Sequence, residues 1–199
     1  MELNLADEIV GPAFPHGRLS GEQLRTFERE IGWELPESYR RHLTDYNGAK
    51  FVKDIYPVSD DGWDCVSLHH VYGLHDGPSY SRLQENWKLY ECYDLHRWKR
   101  KLKSYAVFAD TGTGDLLAIN KDGSVWFYEH DAPSGFWGMP GQFTKVETSF
   151  SQFLTKLQSN EEFEAKFADD PRFKAFKSQL ERLKAQRAAE VEASQSRGE

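Results

Sequence analysis

The segment from Tyr105 to His130 most constrains what this chain can fold into. It holds three strand-like runs, Tyr105–Asp110, Leu116–Asn120 and Val125–His130, each rich in apolar, β-branched or aromatic residues. The first connection is Thr111-Gly112-Thr113-Gly114-Asp115, and the second contains Lys121-Asp122-Gly123. Both are turns, too short for the crossover that a parallel neighbour needs, so the spacing predicts a meander of antiparallel strands.

Helices are predicted on both sides of that meander. Ser20 and Gln23 have capping-box spacing, Leu19 and Leu24 fit a hydrophobic staple, and Leu24, Phe27 and Ile31 recur at helical spacing up to Gly32. A second helix is predicted to begin at Pro36, with Tyr39, Leu43 and Tyr46 on its inner face and Asn47-Gly48 at its close. Tyr80, Leu83, Trp87 and Tyr90 predict a third helical face, followed by the basic run Arg97, Lys99, Arg100, Lys101 and Lys103. Ser149 with Gln152 opens a last helix carrying Phe150, Phe153, Leu154 and Leu157. The stretch 51–78 is rich in turns, with short strand material at Val66–Leu68 and Val71–Leu74.

Composition divides the chain. Residues 1–18, with Gly11, Pro12, Pro15 and Gly17, read as an arm, and 19–157 as the folded domain. Residues 158–193 read as a helical extension and 194–199 as a disordered tail. In the extension Phe173, Phe176, Leu180 and Leu183 make an apolar stripe of about two heptads, too short to predict a coiled coil.

Charge narrows the function classes. The 199 residues carry 25 Lys and Arg against 32 Asp and Glu, a formal net charge of -7. That sign argues against nucleic acid or an anionic membrane as partner and leaves open a basic protein surface. The acidic start, Met1–Glu8, lacks the apolar core of a signal peptide, and no run reaches the ~18–20 apolar residues of a membrane span. Cys65 and Cys92 form no CxxC pair. The expectation is a cytoplasmic protein with reduced thiols.

Motifs for chemistry are sparse. Gly112-Thr113-Gly114 begins like a dinucleotide-binding loop, but Leu117 replaces the third glycine and the loop lies between strands. Gly77-Pro78-Ser79-Tyr80-Ser81 approximates a nucleophile elbow whose last glycine is replaced by Ser81. Cys92 and His96 lie four apart, and His69, His70 and His75 cluster near Asp76, without the convergent set a metal site needs. Asp110 and Asp115 bracket a turn, where carboxylates commonly bond the backbone. No catalytic residue, cofactor or metal ligand is expected. A metal- or nucleotide-dependent enzyme built on His69, His70, His75 and Asp115 is the least favoured reading.

Two blocks of the sequence stand in a defined order. The first is Ile31-Gly32-Trp33-Glu34-Leu35-Pro36-Glu37-Ser38-Tyr39-Arg40-Arg41-His42-Leu43 with Asn47-Gly48. The second is Phe108-Ala109-Asp110, Gly114-Asp115, Leu117, Gly123, Val125 and His130-Asp131, then the helix Phe150–Leu157. In this order the blocks resemble the SUKH superfamily, and the resemblance covers roughly 19–157. It implies an α+β fold, a twisted and mainly antiparallel sheet flanked by helices, here with a C-terminal helical extension. It also implies a non-enzymatic protein-binding domain. Bacterial members commonly act as immunity proteins that neutralise toxins, often nucleases; fungal members are cell-wall-synthesis regulators of the Knr/Smi type.

The expected partner is therefore a cognate toxin with a basic surface, met by this acidic chain. The alternative is a regulatory or scaffold module. Trp63, Trp98 and Trp137 lie in loop-like segments and are candidate hot spots, joined by the acidic candidates Asp60, Asp61, Asp64 and Asp76.

Overall fold

The predicted meander forms the centre of a larger sheet. In the computed structural model, which describes residues 9–10, 14–48, 50–59, 62, 64–93, 95–133 and 139–195, six strands follow one another antiparallel. They are β3 (Ile55–Pro57), β4 (Cys65–Val71), β5 (Tyr105–Thr111), β6 (Leu116–Asn120), β7 (Val125–Glu129) and β8 (Gln142–Glu147), paired in chain order. A separate two-stranded ribbon joins β1 (Ile9–Val10) to β2 (Lys50–Phe51). Register shifts between Leu68 and His70, Val107 and Ala109, and Val125 and Trp126 help curl the sheet. Strand β6 is buried along its whole length and β5 at every residue but Asp110. This accounts for the near-continuous apolar sequences of these two strands.

Helix α1 (Gly21–Ile31) starts at the predicted capping box, with both reciprocal bonds between Ser20 and Gln23 present, and ends on Gly32 in the left-handed region. Helix α2 (Glu37–Tyr46) begins one residue later than predicted. Pro36 serves as its cap, and its carbonyl accepts from the Tyr39 and Arg40 amides, both at 2.9 Å. The buried Glu28 holds the turn between these helices. Its Oε1 accepts from the Leu35 amide at 2.9 Å and lies 3.0 Å from Arg40 Nε.

The inner face of α2 also differs from expectation. Tyr39 and Leu43 are buried, but Tyr46 is only half-buried, and His42 is enclosed instead. Tyr39 packs on Phe108 of β5 and on Phe150 of α6 (Phe150–Lys156), with ring centroids 5.7 and 5.0 Å apart. Phe153 extends the cluster to Tyr56 at 4.8 Å. Each such aromatic pair adds roughly 0.5–1.5 kcal/mol beyond the area it buries. Much of the aromatic content therefore belongs to one core.

The predicted third helix is broken. Ser79–Ser81 is a single 3-10 turn, followed by α3 (Leu83–Asn86) and α4 (Leu89–Cys92). The break falls at Lys88, and the Trp87 carbonyl accepts a bond from the Val107 amide of β5 at 2.9 Å. This bond to the sheet replaces a continued helical ladder. Leu83, Trp87 and Tyr90 remain buried, but Tyr80, expected on the same face, is 59% exposed. The basic run folds as a 3-10 turn over His96–Trp98 and α5 (Lys99–Leu102).

A second compact unit begins at Asn160. Within it lie α7 (Asn160–Phe167) and α8 (Pro171–Gln195). Phe163 packs edge-on to Phe173, and Lys177 Nζ reaches Glu164 at 2.6 Å. Residues 194 and 195, expected to be disordered, are helical because α8 continues to Gln195. In the apolar stripe Phe176, Leu180 and Leu183 are exposed. Among the described residues, no helix is long and apolar enough to cross a membrane.

Candidate functional site

The loop after β4 builds the candidate site of the first compact unit, which ends at Ser159. Asn47, with φ of 43°, closes α2, and its side chain grips Leu74 from both sides. Its Oδ1 accepts from the Leu74 amide at 2.8 Å, and its Nδ2 donates to the Leu74 carbonyl at 3.0 Å. Nδ2 also donates to the carbonyl of Gly17 at 2.9 Å. The Asn-Gly pair noted in the sequence is thus the anchor of a second loop.

From this anchor the loop runs beside α1 and encloses an open groove of about 410 Å³. Phe27 and Leu74 supply buried apolar lining, while Glu22, Glu30 and Asp76 are exposed acidic lining residues. His75 forms part of the wall and is held on three sides. Its Nδ1 accepts from the Gly77 amide at 3.0 Å, its Nε2 lies 3.4 Å from Ser81 Oγ, and its carbonyl accepts from Gln84 at 2.6 Å. Burial, followed by the neighbouring His16, lowers the His75 pKa and favours the neutral ring. Arg82 is engaged by Glu85 and by the carbonyl of Gly77. The groove therefore presents carboxylates around an apolar floor.

Several chemical alternatives can be judged from the same region. Ser81 lies beside His75, but the imidazole is bonded in the wrong sense for a nucleophile and base. Nδ1 accepts from Gly77, which leaves the proton on Nε2, the atom facing Ser81; the Ser81 hydroxyl donates to the Pro78 carbonyl at 3.2 Å. Asp110 and Asp115 have separate partners. Asp115 accepts from Thr113 Oγ1 at 2.9 Å and from the His130 amide at 3.0 Å, and its Oδ1 meets His130 Nδ1 at 2.8 Å. It fixes its turn, as carboxylates at turns do. Asp110 instead meets His70 and Tyr72 across the β4–β5 ladder. Gly112-Thr113-Gly114 is a strand-to-strand turn, with Gly114 at φ of 94°.

The other sequence-predicted residues fall as follows. Trp63, Trp137, Asp60 and Asp61 lie outside the described residues. Asp76 belongs to the groove lining. Asp64 is exposed in the turn before β4, where its amide donates to Ser59 Oγ at 3.0 Å. Trp98 is half-buried against the core, with the Arg97 guanidinium 5.6 Å from its ring centre. The histidine cluster divides: His75 joins the groove, whereas His69 and His70 meet Asp110, forty residues beyond His70. Sequence reasoning missed Glu22 and Glu30 as groove residues. Their placement, each one residue in from an end of α1, carries no signal until the loop after β4 is placed beside that helix.

The model of the SMI1 / KNR4 family (SUKH-1) matches residues 18–156. No curated protein matches the chain.

Proposed function

The chain belongs to the SMI1 / KNR4 family, and on that premise we propose that it is a non-enzymatic protein-binding domain of the immunity type. It would bind a cognate bacterial toxin through a basic surface and neutralise it by covering the active site or substrate groove. The observation that carries this reading is the groove between α1 and the loop after β4, where Glu22, Glu30 and Asp76 surround Phe27 and Leu74. An apolar floor with a charged rim is the anatomy of a docking surface, and carboxylates steer a basic partner. The excess of acidic over basic residues across the chain acts in the same direction.

The test is co-expression with the toxin encoded beside this gene, co-purification, and calorimetry at low and high salt. The expected result is a tight complex weakened by salt, with E22K/E30K/D76K slowing association. A neighbouring toxin that does not bind, or a complex indifferent to these reversals, counts against the proposal.

One observation favours a second reading, a regulatory or scaffold module. Phe176, Leu180 and Leu183 of α8 are exposed along one apolar stripe. Removal of residues 160–199 separates the two readings. Loss of partner binding on truncation supports the scaffold role, and retention assigns recognition to the first unit.

A further inference from the structure

Neighbouring residues in a regular strand point to opposite faces of the sheet. His69 and His70 break that rule, because β4 is bulged. Leu68 pairs with Thr111 and His70 with Asp110, so His69 is an extra residue with no partner in the register. The two imidazoles consequently lie side by side, with ring centroids 3.9 Å apart.

Both rings face one carboxylate. Asp110 Oδ1 lies 3.1 Å from His70 Nδ1 and 3.7 Å from His69 Nδ1. The three ligand atoms all fall within 4.8 Å of one another. In a tetrahedral zinc site, metal–ligand bonds of about 2.0–2.2 Å place neighbouring donor atoms roughly 3.3 Å apart. The two nitrogen–oxygen separations bracket that value.

The carboxylate is also held in place. Tyr72 OH donates to Asp110 Oδ2 at 3.0 Å, and the His70 amide donates to Oδ1 at 3.0 Å. Such outer bonds orient a ligand. Tyr80 covers one side of His70 at 4.8 Å between ring centres, while His69, with its side chain 59% exposed, leaves an approach from solvent.

We propose that His69, His70 and Asp110 form a binding site for a divalent transition metal, zinc in the first instance. Two imidazoles and one carboxylate suit zinc better than calcium or magnesium, which favour all-oxygen sets. Water would complete a four-coordinate sphere. The site requires neither the acidic groove nor a toxin, so its success or failure is independent of the function proposed above.

Titration of the untagged, metal-stripped full chain with zinc, followed by competition with a chromophoric chelator, tests the assignment. The expected result is one bound equivalent. H69A, at an exposed position that the fold does not need, should weaken binding at least tenfold. Y72F, which removes only the hydroxyl that positions Asp110, should weaken it roughly tenfold. H75A serves as the control and should leave the affinity unchanged. Cobalt in place of zinc should give the visible absorption of a low-coordinate nitrogen–oxygen site, lost in H69A. Absence of zinc binding overturns the proposal, as does binding that H69A leaves intact. Either result would reduce the cluster to a hydrogen bond that stabilises the bulge.

Discussion

Asn47 and Leu74 are joined by a pair of hydrogen bonds, Leu74 N to Asn47 Oδ1 at 2.8 Å and Asn47 Nδ2 to Leu74 O at 3.0 Å. This two-way contact between the end of α2 and the loop after β4 mimics a strand pairing with a side chain. It sets the position of the groove wall.

Replacement of Asn47 by Ala removes both bonds and the one to Gly17, at a site almost fully enclosed. Buried amide and carbonyl groups would be left without these partners, and the left-handed backbone would lose a residue that tolerates it. The expected loss is about 3 kcal/mol, read as a lower midpoint in urea denaturation with an unchanged slope. Partner binding should fall even where the variant is fully folded.

Gly73 and Gly112 should respond oppositely to alanine. A Cβ on Gly73 would lie 2.6 Å from the Asn47 carbonyl oxygen, a backbone atom that cannot swing aside. G73A should cost roughly 2 kcal/mol or more. A Cβ on Gly112 meets nothing within 4 Å, and its backbone does not require glycine. G112A should therefore leave the thermal midpoint close to that of the parent.

His42 makes stability depend on acid. It is enclosed by Tyr46, Phe51 and Phe150, with ring centres 5.2–5.4 Å away, and burial lowers its pKa to about 4. In the unfolded chain the same ring titrates near 6.5. Between these values the unfolded chain binds the extra proton, so stability falls as pH drops from about 6.5 towards 4, by on the order of 3 kcal/mol for this group. H42F keeps the ring packing and removes the titration. The difference in unfolding free energy between H42F and the parent should grow in favour of the variant across that window.

His130 should show the opposite sign. The hydrogen bond to Asp115, with further help from Asp131, raises its pKa. A raised folded-state pKa stabilises the fold fully below the unfolded value of about 6.5, and that contribution fades as pH rises through the folded value. NMR titration should place His130 above an ordinary histidine, and D115N should bring it down. An unchanged His130 titration in D115N would contradict this assignment.

The sequence revealed the elements whose signals are local. Ser20 with Gln23, Gly32, and the turns around Gly114 and Gly123 act within a few residues, and all stand where their chemistry demands. Tyr80 was misplaced because helical spacing alone cannot reveal that Val107 bonds the Trp87 carbonyl and that the chain breaks at Lys88. Strand β8 was missed for another reason. As an edge strand it exposes Gln142, Thr144 and Lys145, and among its residues only Phe143 and Glu147 are fully buried. His42 escaped because a histidine on a helix is ordinarily read as a surface residue. The pairing of His69 and His70 with Asp110 depends on a bulge, which appears only when two strands are placed side by side.

The margin of the sheet at β3 decides where this chain can be shortened. Ile55 exchanges two backbone bonds with Gln158, N to O at 3.1 Å and O to N at 2.8 Å, so the residues after α6 occupy part of that open margin. A chain ending at Leu157 would keep the residues matched by the family model yet bare a pairing template. Unsatisfied strand margins recruit other copies. Such a chain is expected to self-associate, whereas one ending at Ser159 keeps its own plug.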